Sequence, residues 1–360
     1  MKEKVKLGEK PGACCGGSTE AQCAPRKTPF RTDSILTRKD RLDHFRCRVG
    51  SYRMKSTVEP GLYALGNPGQ NSDVFVTANY KMSFDILRGS LSGMDAWILV
   101  LDTKGINVWC AAGKGTFGTE ELVKRIFAEG LFEKVSHRRI ILPQLGAPGI
   151  SAPDVRKQTG FRPVYGPVRA ADLKAFVAAG CKAGQGMRRV EFGLLDRLVL
   201  TPMELRPAFK AFFLFAMIVL ALSGLLPSGI SFSSALSLGA PILILGIVSI
   251  IAGAFITPAL LPYIPFRSFA VKGWLAGLVS LIMAWAFVTV PEGVAFKAMS
   301  FIFFPLASSY LALQFTGSTT YTGMSGVARE LKISIPVYTA GVLISSVLFI
   351  ALKLGQWGIL

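Results

Sequence analysis

The sequence has few histidines, and its cysteines do not occur in paired metal-binding motifs. Only two of its 360 residues are histidine, and none of its six cysteines forms a CxxC pair. The spacing typical of structural zinc sites and iron–sulfur clusters is therefore missing. Cys14, Cys15 and Cys23 form a loose thiol cluster that would suit a soft cation. Incidental cysteines in an irregular tail explain the same cluster equally well.

The N-terminal residues also lack an apolar segment. Residues 1–30 are polar, so no cleavable signal peptide is predicted. The thiols are then expected to stay reduced in the cytoplasm, and a disulfide framework is not expected. Residues 1–54 are rich in charge, glycine and proline and show little periodicity, which predicts an irregular N-terminal extension.

Acidic residues are scarce along the chain. Asp and Glu number 22 against 40 Lys and Arg, a formal net charge of +18. Residues 207–360 hold seven of the basic and two of the acidic residues, so most of the positive charge belongs to residues 1–206. That charge suits a cytoplasmic surface beside anionic lipid, or an acidic partner protein. No basic helix interleaved with aromatic residues is present, and nucleic-acid binding is not predicted.

Charge is nearly absent from five long apolar runs in residues 207–360. They predict a transmembrane domain with spans at about 208–226, 236–256, 269–290, 298–315 and 335–352, each close to the ~20 residues that cross a bilayer. Most flanking Lys and Arg fall on the side of the N-terminal half, which predicts an inner-membrane protein with a cytoplasmic N-terminus and an external C-terminus. No ionisable residue lies near the middle of a run, so ion-coupled transport is disfavoured. Close helix packing is predicted for Gly239, Gly246, Gly253, Gly273 and Gly277.

Residues 55–200 alternate strand-like and helix-like segments. Apolar, β-branched runs predict strands at Val74–Thr77, Trp97–Leu101, Arg139–Leu142 and Arg162–Tyr165, with amphipathic helices between them. This alternation predicts an α/β Rossmann-like domain, a parallel sheet flanked by helices, whose ligand binds outside the carboxyl ends of the strands. Ordinary turns use the same residue types as ligand loops. The candidate ligand contacts in these loops are Thr77, Asn79, Thr103, Gln144, Gly146, Gly166 and Pro167.

The segment Asn107-Val108-Trp109-Cys110-Ala111-Ala112-Gly113-Lys114 holds a lone thiol between a bulky aromatic and small side chains. That setting suits a soft metal ligand approached by a large flat group, because residues 111–113 would leave the helix surface bare. A buried, inert cysteine is the alternative. Asn107 predicts an N-cap that fixes a short helix, and a hydrogen bond to a ligand is its other interpretation. Trp109 is expected to anchor the core rather than to stack on a ligand.

A Gly-Lys-Gly-Thr run ends this segment and matches part of a phosphate loop. The full pattern needs a glycine at position 108, where the sequence has Val108. ATP hydrolysis is therefore not supported. Lys114 and Thr116 stay candidates for contacts to the phosphate of a bound ligand.

Several of these residues resemble known families. Pro60–Leu62, Phe75–Tyr80 and Tyr165–Arg169 are similar to the corrinoid domain of the corrinoid iron–sulfur proteins of the acetyl-CoA pathway. Asn107–Lys114, followed by five membrane spans, resembles the cap helix of the mercury-methylating corrinoid proteins, the HgcA family. The chain departs from the first family because it lacks N-terminal iron–sulfur cysteines. It also lacks the Asp-x-His-x-x-Gly signature that supplies a cobalt-binding histidine in other corrinoid proteins.

The resemblance implies a corrinoid-dependent methyltransferase. A cobalamin-type corrinoid would be its cofactor, held by residues 107–114 and the strand-end loops, with Cys110 as the lower axial ligand of cobalt. A methyl group would pass from the Cys-ligated methyl-Co(III) corrinoid to Hg(II), forming methylmercury in an anaerobic cell. Under this interpretation Cys14, Cys15 and Cys23 are candidate Hg(II) ligands.

The resemblance also implies partners. A ferredoxin-like protein with two 4Fe–4S clusters, HgcB, would reduce the cobalt, and a methyl donor of the methyltetrahydrofolate type would recharge it. The positive charge of residues 1–206 would suit an acidic ferredoxin. Two alternatives stay open. One is a membrane-bound corrinoid methyl carrier of one-carbon metabolism, and the other is a cofactor-binding module without turnover.

Overall fold

The computed structural model describes residues 28–359. Cys14, Cys15 and Cys23, the predicted thiol cluster, lie outside this range. A sheet flanked by helices is formed by residues 30–178, and a helical region begins at residue 194. The two parts are joined by a segment that contains a short 3₁₀ turn at Gly186–Arg188.

Six strands within residues 28–359 form one mixed sheet. Their bounds are β1 Phe30–Thr32, β2 Gly61–Leu65, β3 Val74–Ala78, β4 Ala96–Leu101, β5 Arg139–Leu142 and β6 Arg162–Tyr165. The order across the sheet is β1-β2-β4-β3-β5-β6, with β3 to β6 parallel and β2 antiparallel to β4. β3 and β4 are buried along their whole length, as expected for apolar central strands covered on both faces. The prediction of a wholly parallel sheet is wrong at the edge that holds β2.

Helices pack on both faces of this sheet. The helices up to residue 198 are α1 Arg38–Val49, α2 Lys81–Ser90, α3 Val108–Lys114, α4 Thr119–Ala128, α5 Leu131–Lys134, α6 Ala152–Thr159, α7 Leu173–Ala178 and α8 Leu194–Leu198. α1 packs on α2, and α8 belongs to the helical region that begins at residue 194. One face is covered by α3 to α6, with Leu122, Ile126 and Leu131 fully buried, as expected for the apolar face of amphipathic helices. The other face is covered by α2 and α7 through Phe84 and Phe176. Each side of the sheet therefore has its own apolar core.

The chain is regular well before the predicted boundary at residue 54. β1 pairs with β2, and α1 is a 12-residue helix that begins at a capping box between Thr37 and Asp40. Asp40 also forms ion pairs with Lys81 and Arg88 of α2. The prediction of an irregular segment is therefore wrong for residues 30–49. Their charge, which suggested disorder, is paired with charge on a neighbouring helix.

Four helical stretches within residues 28–359 are long and apolar enough to cross a membrane: Leu194–Gly224, Phe232–Ala259, Val294–Ser318 and Ser325–Gln356. The helices of this region are α9 Thr201–Gly224, α10 Phe232–Ile251, α11 Thr257–Ala259, α12 Phe269–Trp285, α13 Val294–Gln314 and α14 Met324–Gln356. A hairpin of β7 Leu225–Leu226 and β8 Gly229–Ile230 joins α9 to α10, and a π-helical turn, Ala252–Ile256, joins α10 to α11.

The predicted third span, 269–290, is shorter than expected. α12 has 17 residues and ends at Trp285. The sequence that follows contains the β-branched Val288, Thr289 and Val290 and then Pro291, a combination that disfavours helix. The five predicted spans are therefore four long apolar helices and one shorter one.

α12 packs closely on α13 through small residues. A Cβ added at Gly273 would lie 2.9 Å from the Ser308 carbonyl oxygen, and one at Gly277 would lie 2.6 Å from Ser308 Cβ. Ser308 Oγ donates a hydrogen bond to the Gly273 carbonyl at 2.7 Å, and Ser309 Oγ donates to the Ala270 carbonyl at 2.7 Å. The close packing predicted for these two glycines is confirmed.

Candidate functional site

A cleft opens at the carboxyl ends of the parallel strands. Its volume is about 330 Å³, and its walls are the ends of β3 and β5, one side of α2 and the start of α3. The lining is mostly apolar. Of the predicted ligand contacts, it contains Thr77, Asn107, Val108, Trp109 and Pro167. The cleft therefore lies where ligands of parallel α/β sheets bind.

Asn79 holds the loop that leads into α3. Its buried Oδ1 accepts hydrogen bonds from the backbone N–H groups of Thr103 at 3.1 Å and Gly105 at 3.0 Å. Thr103 Oγ1 lies 2.8 Å from the same oxygen, and Asn79 Nδ2 donates to Asp102 Oδ1 at 3.3 Å. Asn79 and Thr103 are thus bonded within the protein, and neither lines the cleft. Their contribution is to the shape of the loop.

The loop held by Asn79 has an unusual backbone. Lys104 and Gly105 have φ angles of 58° and 72°. A non-glycine residue in this left-handed region costs about 1–2 kcal/mol. The Lys104 ammonium also pairs with the Asp102 carboxylate. These bonds stabilise the strained turn and fix the residue at which α3 begins.

α3 presents Cys110 in its first turn. The Asn107 side chain caps the helix by accepting a hydrogen bond from the Cys110 N–H at 2.9 Å, which confirms the predicted N-cap. Gly115 ends the helix with a φ of 79°. The Cys110 side chain is half-buried and carries a free thiol. Cys110 is not part of the cleft lining, although the three residues that precede it, Asn107, Val108 and Trp109, are.

Ala111 and Ala112 face the core. Both are buried in the apolar cluster on one side of the sheet. α3 packs there on the 3₁₀ turn Gln144–Gly149, where a Cβ added at Gly149 would lie 3.1 Å from Ala112 Cα. The prediction that these alanines leave a bare surface is wrong, since their small size serves this close packing. Gly113 is exposed and has open space around it, so the bare surface is at residue 113.

Trp109 also differs from expectation. Its side chain is 43% exposed and lines the cleft. A core anchor would be buried, so that interpretation is wrong. The exposed indole offers a flat apolar surface at the mouth of the cleft, which suits stacking on a planar ligand.

The remaining predicted loop residues are bonded or packed within the protein. Gly146 is buried, and a Cβ there would lie 2.5 Å from the Phe117 ring. The Gly166 N–H donates to the Leu142 carbonyl at 2.8 Å. Gln144 Oε1 accepts a hydrogen bond from Arg188 at 3.0 Å. None of these three predicted contacts is part of the cleft lining.

The Gly-Lys-Gly-Thr run does not form a phosphate cradle. It ends α3 at Gly115, whereas phosphate loops present the backbone N–H groups at the start of a helix. Lys114 is exposed, and Thr116 Oγ1 lies 3.5 Å from the Ala111 carbonyl. Thr119, the first residue of α4, accepts a hydrogen bond from the Ser151 N–H at 2.9 Å.

One wall of the cleft was missed by the sequence reasoning. Ser83, Ile86 and Leu87 of α2 line it, together with Leu145 and Val168 from the strand-end loops. A signal was present in α2, since Ile86 falls outside the buried stripe of this amphipathic helix and is 43% exposed. An isoleucine on the outer face of a helix is a weak marker of a binding surface, because single exposed apolar residues are common.

The histidines are engaged away from the cleft. His44 Nε2 lies 3.0 Å from Asp85 Oδ2, and His137 Nε2 lies 2.9 Å from the Ser72 carbonyl oxygen. Among residues 28–359, no group of three or more His, Cys, Asp or Glu is placed to hold a metal ion. A metal ion that is already held within a larger cofactor needs only one ligand from the protein. In α3, next to the cleft-lining residues 107–109, Cys110 is a soft donor of this kind.

The α/β domain matches a known family model. Residues 50–177 match the model described as CO dehydrogenase/acetyl-CoA synthase delta subunit. The matched residues run from the end of α1 to α7 and include the cleft, the Asn79 loop and Cys110. The match ends before the first long apolar helix, α9.

The relatives of this chain include a protein named as a corrinoid protein. The acetyl-CoA decarbonylase/synthase complex subunit gamma of Methanocaldococcus jannaschii is 38% identical over 122 residues, 33% of this chain and 25% of the relative. That of Methanopyrus kandleri is 33% identical over 166 residues, 45% of this chain and 33% of the relative. The corrinoid/iron-sulfur protein large subunit of Moorella thermoacetica is 30% identical over 124 residues, 34% of this chain and 27% of the relative.

These comparisons define the class of one domain. The chain contains a domain similar to those of the corrinoid iron–sulfur proteins, as the residues of its strand-end loops predicted. The chain spans about a quarter to a third of the length of the curated relatives it matches. The finer resemblance, to the mercury-methylating corrinoid proteins, stays a prediction carried by Asn107–Lys114.

Proposed function

We propose that this chain is a membrane-associated, corrinoid-dependent methyltransferase. The observation that carries the proposal is the half-buried Cys110 thiol in α3, the helix whose start lines the apolar cleft, within residues 50–177 that match the CO dehydrogenase/acetyl-CoA synthase delta subunit model. The similarity of the chain to a corrinoid/iron-sulfur protein large subunit adds the class of cofactor. A bound corrinoid would supply a cobalt centre able to carry a methyl group between a donor and an acceptor. The protein side chains then bind, orient and shield that group.

The cleft fits part of a large, flat ligand. Trp109 and Val108 on one side and Leu145 and Pro167 on the other offer apolar surface, and Asn107 offers a polar group. Its volume of about 330 Å³ lies near the lower limit of pockets that enclose drug-sized ligands, about 300–1,000 Å³. A corrinoid would therefore be enclosed on one side and would extend past Trp109, where a protein partner completes its shielding.

Cys110 would be the protein ligand of cobalt. Asn107 fixes the turn that carries it, and Asn79 fixes the loop before that turn. Gly113, three residues further along α3, leaves the outer surface of the helix open to a macrocycle. Under this proposal Ala111, Ala112, Gly146 and Asn79 are positioning residues. The direct contacts are Thr77, Asn107, Val108, Trp109 and Pro167.

Two methyl acceptors are supported by different observations. The relatives that are subunits of acetyl-CoA decarbonylase/synthase complexes favour a carrier in one-carbon metabolism. Cys110 favours Hg(II), because a thiolate donates electron density to its metal and promotes transfer of the methyl group to a soft electrophile. The resemblance of Asn107–Lys114 to the cap helix of the mercury-methylating proteins also favours Hg(II) as the acceptor. Hg(II) is the proposed acceptor, and the one-carbon carrier is the second candidate.

The remaining parts of the proposal concern location and partners. The four long apolar helices support membrane association. The proposed arrangement has a corrinoid domain at 55–200 on the cytoplasmic side, a membrane domain at 207–360 and an external C-terminus, which requires the shorter helix α12 to cross the membrane as a fifth span. The proposed reductant is the ferredoxin-like HgcB, and the proposed donor is of the methyltetrahydrofolate type. Both are soluble, and both reach the cleft from the side of the α/β domain.

Reconstitution of the full-length protein with a cobalamin tests the proposal. We expect corrinoid uptake by the wild type, a shifted optical band in Cys110→Ala, and loss of methylmercury formation in that variant without loss of membrane insertion. Cys181→Ala, at another half-buried thiol outside the cleft, is the matched control and should behave as wild type. Absence of corrinoid uptake by the wild type would overturn the proposal. Uptake with methyl transfer to a one-carbon acceptor, but not to Hg(II), would select the second candidate.

A further inference from the structure

A second cavity lies where the α/β domain meets the first membrane helix. Its volume is about 430 Å³, and its walls are the end of α1, the 3₁₀ turn Ser51–Met54 and the first turns of α9. We call it the junction cavity. Its position is independent of the corrinoid cleft, with which it shares no lining residue.

The charged residues that line the junction cavity are all cations. Arg53 comes from the 3₁₀ turn, and Arg206 and Lys210 come from α9. The α9 pair is separated by one helical turn and lies on the same face as Met203, whose sulfur is 3.8 Å from Arg53 Nη1. Arg53 and the α9 cations therefore approach the cavity from opposite walls.

The protein balances only part of the positive charge of the cavity. Among the described residues, Arg53, Arg206 and Lys210 form no ion pair within 4 Å. Glu204 of α9 interacts with the charge of Arg53, but it accepts a hydrogen bond from Ser318 Oγ at 3.3 Å and is not part of the lining. Three cations with one carboxylate nearby repel one another unless an anion lies between them. The arrangement therefore favours an anionic occupant.

Gly50 makes room for one of these cations. A Cβ added at Gly50 would lie 1.7 Å from Arg206 Nη1 and 3.0 Å from its Cζ. The guanidinium thus rests against the backbone at the end of α1, and any larger residue there would displace it. This contact holds Arg206 at the cavity even though much of its side chain is exposed.

The junction cavity lies directly before the apolar span of α9. α9 has no charged residue from Ala211 to Gly224, so its apolar span starts directly after Lys210. Basic residues at this boundary meet the phosphates of the membrane surface. The apolar Val49, Met54 and Pro207 complete the lining and suit the glycerol and upper acyl atoms of a lipid.

We propose that the junction cavity binds the phosphate of one anionic phospholipid headgroup, held by Arg53, Arg206 and Lys210. The phosphate chemistry alone would also admit a soluble phosphate compound. The start of the apolar span beside the cavity favours the lipid. The proposal does not depend on corrinoid binding, so the two can fail separately.

The test is lipid titration of the full-length protein in neutral detergent, with bound lipid counted by native mass spectrometry. We expect one tightly bound phosphatidylglycerol in the wild type and none of comparable affinity with phosphatidylcholine. Arg206→Gln should weaken the binding about five-fold, since each basic residue at an anionic surface contributes about that factor. Gly50→Ala should weaken it with all charges retained, and Arg206→Lys should restore part of it.

Lys332→Gln is the matched control, because it removes an exposed cation near the start of α14 that does not line the cavity. Binding should be unchanged in this variant. Equal weakening by Lys332→Gln and Arg206→Gln would show general surface electrostatics and overturn the proposal. Equal binding of phosphatidylcholine would overturn it too. Displacement of the lipid by millimolar inorganic phosphate, with phosphate stabilising the lipid-free protein, would assign the cavity to a soluble compound.

Discussion

Asn79, at the end of β3, accepts the backbone N–H of Thr103, which follows β4, at 3.1 Å. This bond joins two neighbouring strand ends at the edge of the sheet where the cleft lies. The loop that it holds runs directly into Asn107 and α3. The position of the Cys110 thiol therefore depends on a residue that touches neither the thiol nor the cleft.

Asn79→Ala is expected to lower the free energy of unfolding by about 1–3 kcal/mol, because it leaves the buried N–H groups of Thr103 and Gly105 without an acceptor. Hydrogen exchange on the full-length protein should show lost protection in residues 102–114, and corrinoid affinity should fall. Asn71→Ala, which removes an exposed hydrogen bond from Ser136, is the control and should change stability by at most about 0.5 kcal/mol. Wild-type protection of α3 in Asn79→Ala would contradict this account.

Asn107 has a capping role that can be separated from any ligand contact. Asn107→Ala should destabilise α3 by about 1 kcal/mol, the usual effect of losing an N-cap, and Asn107→Asp should keep the cap. Thermal unfolding and corrinoid titration are measured on both variants. If Asn107 also touches the corrinoid, the Asp variant regains stability but not affinity. Unchanged stability in Asn107→Ala would rule out the capping role.

Gly149 is expected to tolerate no side chain. A Cβ there would lie 2.1 Å from the Phe117 carbonyl oxygen and 3.1 Å from Ala112 Cα, both backbone atoms. Gly149→Ala should therefore destabilise the domain by about 1–3 kcal/mol and shift α3. Gly69→Ala, where the added Cβ meets no atom within 4 Å, is the matched control for thermal unfolding. Similar melting temperatures of the two variants would show that α3 and the 3₁₀ turn can separate freely.

Stability at acidic pH should depend on Asp40. Burial by itself would raise the pKa of Asp40, but hydrogen bonds from Lys81 and Thr37 hold the pKa well below its usual range. A carboxyl group whose pKa is depressed on folding contributes stability above its unfolded pKa of about 3.9, and loses it as pH falls through the folded value. The wild type should therefore lose stability as pH falls below about 4.

The variant Asp40→Asn checks this pH dependence. It should be less stable at neutral pH by about 3 kcal/mol, because Lys81 and Arg88 lose a buried partner, and its stability should depend less on pH between about pH 4 and pH 2. Asp154→Asn, at an exposed carboxylate, is the control and should keep the wild-type profile. An unchanged acid profile in Asp40→Asn would assign the effect to other carboxylates.

Strands with continuous apolar character were predictable from the sequence. Arg139–Leu142 and Arg162–Tyr165 are strands with the predicted bounds, and the predicted Val74–Thr77 strand extends by one residue. β2 escaped prediction because Gly61–Leu65 is a short apolar run directly after Pro60. α1 escaped because its sequence is highly charged, and the ion pairs that stabilise it come from α2, a distant segment.

The site was predictable in location but not in the role of each residue. Ligands of parallel sheets bind at the carboxyl ends of the strands, and on this basis Thr77 and Pro167 were predicted at the site; both line the cleft. Asn79 and Thr103 have the same polar chemistry as ligand contacts, and sequence cannot show that they bond to each other. The small side chain of Ala112 allows close packing against the 3₁₀ turn Gln144–Gly149. The sequence alone does not show that this turn lies next to α3.

α1 touches the two halves of the molecule at once. Asp40 pairs with Arg88 of α2, whose other side forms a wall of the cleft, and the end of α1 contacts α9, the first long apolar helix. α1 therefore fixes the cleft relative to α9. Under the proposed membrane association, the mouth of the cleft would keep one orientation relative to the bilayer, and the proposed soluble partners would approach it from one direction.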